Sequence, residues 1–192
     1  MTTKATYTWR RPPFWLRMSI PAGNLVQLSG MGLGAALLYL AAHTRLPRAV
    51  RVLLMLKGWG AIYVCCHAIA HWAVGRLVGV EFRGYGLRGT DHPHVYPPGV
   101  RQIMSRLPLF TAITRKGSLQ QVSPPARAAM LSAGQASTAI CPLLAAWYAR
   151  QSGTPGGRRF FAGNLVLSIF LTVITTVVPE GDFARARAAL RG

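Results

Sequence analysis

Carboxylates are nearly missing from this chain. Glu81, Asp91, Glu180 and Asp182 are the only four among 192 residues, against 22 lysines and arginines, which leaves a formal charge of +18. In a soluble protein that balance would suggest nucleic acid. No long Lys/Arg block with interleaved aromatics is present, however, and the basic residues sit between apolar runs. That pattern orients helices in a bilayer and attracts anionic lipid headgroups, so the lipid bilayer is the expected partner and nucleic acid is not. Cysteine is also sparse: Cys65, Cys66 and Cys141 all fall inside apolar runs, where such side chains serve as packing. No C-x-x-C spacing exists to make a zinc ribbon or redox site, and neighbours on a helix diverge too far for a Cys65 to Cys66 disulfide. The opening MTTKATYTWRRPPFWLRMSIP lacks the short apolar core and small-residue cleavage site of a signal peptide. Residues 1–21 read instead as a basic interfacial arm, with Trp9, Phe14 and Trp15 at headgroup level. Internal repeats and low-complexity segments are lacking.

Apolar length is what the chain has in quantity. Runs at about 22–42, 52–75, 128–149 and 160–178 each approach the ~20 residues a spanning helix needs. The expected fold is therefore an all-α integral membrane protein with four transmembrane helices, residues 22–192 forming one membrane domain. Lys4, Arg10, Arg11 and Arg17 in the arm, eight basic residues from Arg76 to Arg127, and Arg185, Arg187 and Arg191 in the tail would share one side of the membrane. The other side would hold only those around Arg45 to Arg51 and Arg150 to Arg159. The positive-inside tendency then puts both termini and the long connection in the cytoplasm, and the expected location is a bacterial cytoplasmic membrane. That connection, residues 77–127, carries Pro93, Pro97, Pro98, Pro108, Pro124 and Pro125 with several glycines, so extended and turn structure should dominate. Alternation predicts a short β-hairpin near Val80 to Leu87. A brief surface helix is expected over Val100 to Phe110, turning Ile103, Leu107 and Phe110 toward the membrane.

Inside the second apolar run, YVCCHAIAHWAVGRLVGV places His67 and His71 four residues apart. Residues i and i+4 share one helix face, so the two imidazoles can converge on one ion. The bland alternative is that each ring bonds a backbone carbonyl, a hydroxyl or a neighbouring helix. A catalytic zinc site takes three protein ligands, and the candidates for a third are His43, His92, His94 and the four carboxylates. Topology narrows them: the second and fourth helices descend together, so Asp182 emerges near the level of the pair, whereas His43 starts on the opposite face. Glu180 reads either as an interfacial charge paired with Arg185 or Arg187, or as a carboxylate able to approach the same site. Asp91, His92 and His94 read as a solvated turn or a surface metal site. Gln135 and Asn164 read as hydrogen-bond partners between helices, and Lys57 and His43 as snorkelling side chains.

HAIAHWAVGRLVGV resembles the H-E-x-x-H helix of the site-2 protease family, the intramembrane zinc metalloproteases. PPARAAMLSAGQAST is similar to the family's Arg-containing segment leading into a small-residue helix, with Gln135 in place of a proline. TVVPEGDFARARAAL resembles its last motif, in which a proline precedes an aspartate that ligates zinc. The likeness spans residues 55–191 and implies His67, His71 and Asp182 as zinc ligands. Two departures stand out. Ala68 occupies the place of the family's glutamate, the general base, and alanine cannot carry a proton. The family's Asp-Gly is here Gly181-Asp182-Phe183.

The function this suggests is a degenerate, catalytically inactive relative kept as an accessory or scaffolding subunit alongside other membrane protein subunits. The small-residue stretches SGMGLGAALLYLAA and MLSAGQASTAI suit close helix contact. An active intramembrane zinc metalloprotease with an unusual base, Glu180 being the candidate, is the alternative. A chlorin or haem on the histidines ranks third, because two ligands one turn apart on one helix suit a small ion better than a flat macrocycle.

Overall fold

The computed structural model describes residues 13–90 and 98–191. Trp9 and most of the basic arm, with the Asp91, His92 and His94 cluster, lie outside these residues. The described chain is mostly helical, and it also contains a sheet, which corrects the all-α expectation.

Strand β1 (Leu16–Met18) leads directly into α1 (Ile20–His43) and then α2 (Arg48–Leu77). Ser19 caps α1 by accepting from the Ala22 N–H at 3.4 Å, and Pro21 fits the first turn, where an N–H has no helical partner anyway. After α2 come β2 (Phe82–Arg88), α3 (Val100–Arg106), β3 (Leu109–Thr114) and α4 (Ser118–Gln121). The chain closes with α5 (Pro124–Gln151), α6 (Gly157–Val177) and α7 (Asp182–Ala189). Helices α1, α2, α5 and α6 are long and apolar enough to cross a membrane. Their outward faces carry exposed Leu25, Leu33, Leu53, Leu144, Val166 and Phe170, surface that water would not tolerate as a continuous patch.

The long helices pack in the order α1, α2, α5, α6. Between α1 and α2 the approach is a backbone one: a Cβ on Gly34 would lie 2.6 Å from the Gly58 carbonyl oxygen, and a Cβ on Gly58 would meet the Gly34 oxygen at the same distance. Only hydrogen at both positions permits that spacing. Leu38, Ala41, Met55, Ile62, Ala145 and Ala149 fill the core at the end holding the connections 44–47 and 152–156, where His43 Nε2 lies 3.1 Å from the Tyr148 hydroxyl.

The sheet sits at the other end. It is antiparallel in the order β1-β2-β3, with Leu16 opposite Leu87 and Leu87 opposite Phe110. The strand expected near Val80 to Leu87 exists, but its partners are distant in sequence, so it is the middle of a three-stranded sheet and not one arm of a local hairpin. Phe110 belongs to β3 and not to the surface helix, which ends at Arg106 and leaves Ile103 exposed. Pairing with β2 supplies long-range hydrogen bonds that a local helix signal does not anticipate. The sheet docks on the start of α1 through Tyr85, fully buried, whose hydroxyl donates to Asn24 Oδ1 at 2.6 Å. Burial pushes the Tyr85 hydroxyl well up from its ordinary pKa, so it stays a donor through the neutral range.

Candidate metal centre

Three elements bring the candidate ligands together. His67 and His71 project from one face of α2, as their spacing requires. Asp182 opens α7, which turns back under the bundle because Pro179-Glu180-Gly181 folds tightly after α6. The Gly181 N–H donates to the Val178 carbonyl at 2.9 Å, and a Cβ on Gly181 would lie 2.6 Å from Thr175 Cα. Ala186 and Ala189 then seat α7 against Ala128, Met130 and Leu131 of α5. Small side chains let α7 lie close, and closeness sets the depth of Asp182.

The donor atoms form a near-equilateral triangle. His67 Nε2 and His71 Nε2 are 3.2 Å apart, and Asp182 Oδ2 lies 3.4 Å from the first and 3.3 Å from the second. Tetrahedral bonds of ~2.0–2.1 Å separate their ligand atoms by about 3.3–3.4 Å, whereas 90° octahedral edges at that bond length would be about 3.0 Å. The observed edges fit the tetrahedral case.

Tautomers sharpen the point. The Met130 carbonyl, 2.7 Å from His71 Nδ1, can only accept, so that nitrogen carries the hydrogen. The Thr138 hydroxyl donates to the Gly134 carbonyl at 3.0 Å, which leaves it to accept from His67 Nδ1 at 2.9 Å. Both Nε2 atoms of the neutral rings therefore present lone pairs, and the Asp182 carboxylate presents a third. Three lone pairs converging without a hydrogen between them call for a cation. Where a proton on a ring Nε2 takes the cation's place, burial raises the Asp182 carboxyl, but a hydrogen bond from His71, positive charge on the imidazoles and the Arg185 guanidinium hold it below its ordinary pKa. The ring nitrogens fixed by Met130 and Thr138 repeat the outer-shell arrangement that orients metal-binding histidines. Thus the group could hold a metal ion.

The site opens on one side. The His71 and Asp182 side chains are largely buried, while His67 keeps 34% exposure, facing a cleft of about 350 Å³. Thr138, Gln135, Glu180, Arg185 and the β3 residues Phe110 to Ala112 share its lining. Ala68 is fully buried and does not line the cleft. The chain matches no protein-family model, and no curated protein or solved structure is significantly similar to it.

Residue by residue, the structure gathers His67, His71 and Asp182 and leaves His43 at the far end, bonded to Tyr148. Arg185 Nη1 lies 4.0 Å from Asp182 Oδ1, and Arg187 Nη2 donates to the Thr176 carbonyl. Gln135 departs from its expected role as a bond between helices: it is buried on the cleft wall, and its Nε2 has no protein partner. Asn164 Oδ1 is likewise without one. Sequence reasoning missed Thr138 and Met130 as supports. A hydroxyl one turn after Gly134 was visible, but its distance from α2 was not.

Proposed function

We propose that this chain is an integral membrane protein with a site-2-protease-like core, which holds zinc on His67, His71 and Asp182 without hydrolysing peptides and serves as an accessory or scaffolding subunit of a larger membrane complex. The observation that carries the reading is the triangle of lone pairs with tetrahedral edges, beside a general-base position filled by buried Ala68. Zinc supplies Lewis acidity when bound. The chain's own part would be to hold that ion: α2 presents two imidazoles, Thr138 and Met130 fix their tautomers, and α7 adds the carboxylate. Proton transfer is what it lacks. Ala68, in the sequence place of the family's glutamate, is buried and offers no group able to move a proton, so on this reading the site binds but does not turn over. The subunit role is supported by the surface of α6, where only Gly157 and Asn164 are buried. Such a face suits lipid or the helices of neighbouring subunits.

A second reading, an active metalloprotease with an unusual base, is favoured by one observation: Glu180 lines the same cleft as the three donors. Elemental analysis of the detergent-purified protein, paired with cleavage of membrane peptide substrates, separates the two. About one zinc per chain is expected, lost in His67→Ala and Asp182→Ala, with no cleavage by the native protein. Absence of metal would overturn the zinc site. Cleavage that disappears in both His67→Ala and Glu180→Gln would sink the inactive reading and establish the second.

A further inference from the structure

At the end of the bundle opposite the histidines lies a second concavity of about 1160 Å³, walled by Arg48, Arg150, Arg158 and Arg159. No carboxylate lines it. Among the described acids, Glu81 is paired with Arg115, while Glu180 and Asp182 line the other cleft. The Arg48, Arg158 and Arg159 side chains make no hydrogen bond or ion pair among the described residues, and Arg150 stacks over the Phe161 ring at 5.2 Å. Four exposed arginines thus line one groove that holds no acid, and planar guanidinium donors match phosphate oxygens two at a time. Helix α6 also begins here, at Gly157, adding the positive end of its dipole.

The groove does not end in water. Phe161, Ala162 and Leu165 continue it onto α6, whose exposed Val166, Ile169 and Phe170 extend the same apolar surface along the bundle. A free phosphate would use the arginines and leave the rest empty. A ligand with a phosphate head and acyl chains would fill both. We infer that this groove is a binding site for an anionic phospholipid, its phosphate among Arg48, Arg150, Arg158 and Arg159 and its chains along α6. The assignment rests on the helices crossing a bilayer, as proposed above, and is independent of the metal.

The test uses the full chain in mild detergent, with thermal unfolding followed as phosphatidylglycerol, phosphatidylcholine or inorganic phosphate is added. Phosphatidylglycerol should protect at concentrations about tenfold lower than phosphatidylcholine, and Arg158→Gln/Arg159→Gln should abolish the difference. The pair Arg83→Gln/Arg106→Gln removes the same charge elsewhere and should keep it. Equal protection by the two lipids, equal loss in the control pair, or full protection by phosphate alone would each overturn the site. Carbonate extraction of membranes separates the failures: a chain retained there but indifferent to lipid overturns the groove alone, whereas a chain released by carbonate overturns the membrane reading.

Discussion

Gly134→Ala is the sharpest probe of the metal centre, because it exchanges one hydrogen for a methyl and replaces no ligand. Gly134 lies on α5 against the flat of the His71 ring. A Cβ there would overlap Nε2 and stand 2.6 Å from Cδ2 and 2.7 Å from Cε1. Non-bonded carbons settle at about 3.5–4.0 Å, so the ring must retreat by roughly 1 Å. Metal bonds tolerate about 0.2 Å, so such a retreat takes Nε2 out of coordinating range while the side chain swings without unfolding the helices. The loss should be at least that of an outer-shell partner, about 10–100-fold in zinc affinity, equivalent to ~1.4–2.8 kcal/mol. Competition against a chromophoric chelator measures it, with circular dichroism reporting helix content. Gly60→Ala is the matched control on α2, where an added Cβ meets nothing within 4 Å. If Gly134→Ala kept both native helicity and native zinc affinity, the assignment of His71 Nε2 as a ligand would be refuted.

Two further outcomes follow from the packing. Thr138→Val removes the acceptor for His67 Nδ1 at nearly constant volume and should weaken zinc binding by about 10–100-fold, with little change in helicity; unchanged affinity in the chelator assay would show that Thr138 does not orient the ring. Gly34→Ala wedges a methyl between α1 and α2, 2.6 Å from the Gly58 oxygen and 2.8 Å from Ile62 Cγ1, and should cost about 1–3 kcal/mol in detergent unfolding while leaving the metal content of the folded fraction intact.

Much of the helical frame was legible in the sequence, and the reason is length. A run of some 20 apolar residues is a signal that tertiary context rarely reverses, so the expected 52–75 became Arg48–Leu77 and 160–178 became Gly157–Val177, with differences only at the ends. Glycine and proline marked the connection after α2, yet they say where a chain turns and not what it pairs with. The strand at Phe82–Arg88 was therefore visible, but its partners Leu16–Met18 and Leu109–Thr114 were not. Pairing across such separations depends on where Tyr85 finds a cavity, and α1 makes that cavity by having no side chain at Gly23, where a Cβ would overlap the Tyr85 ring.

The candidate site divides along the same line. By itself the sequence determined that His67 and His71 share a helix face, because an i, i+4 spacing is a local property of the backbone. Helix count and direction put Asp182 at a compatible depth. Only the tertiary structure decided that three lone pairs meet at 3.2–3.4 Å, that Met130 and Thr138 hold the opposite ring nitrogens, and that Gly134 leaves room for His71. It also gathered Arg48 with Arg150, Arg158 and Arg159, which lie about a hundred residues apart in the chain. Each of these relations joins helices that touch only because others hold them together. Distances of that kind belong to the packed bundle, and no stretch of the chain contains them.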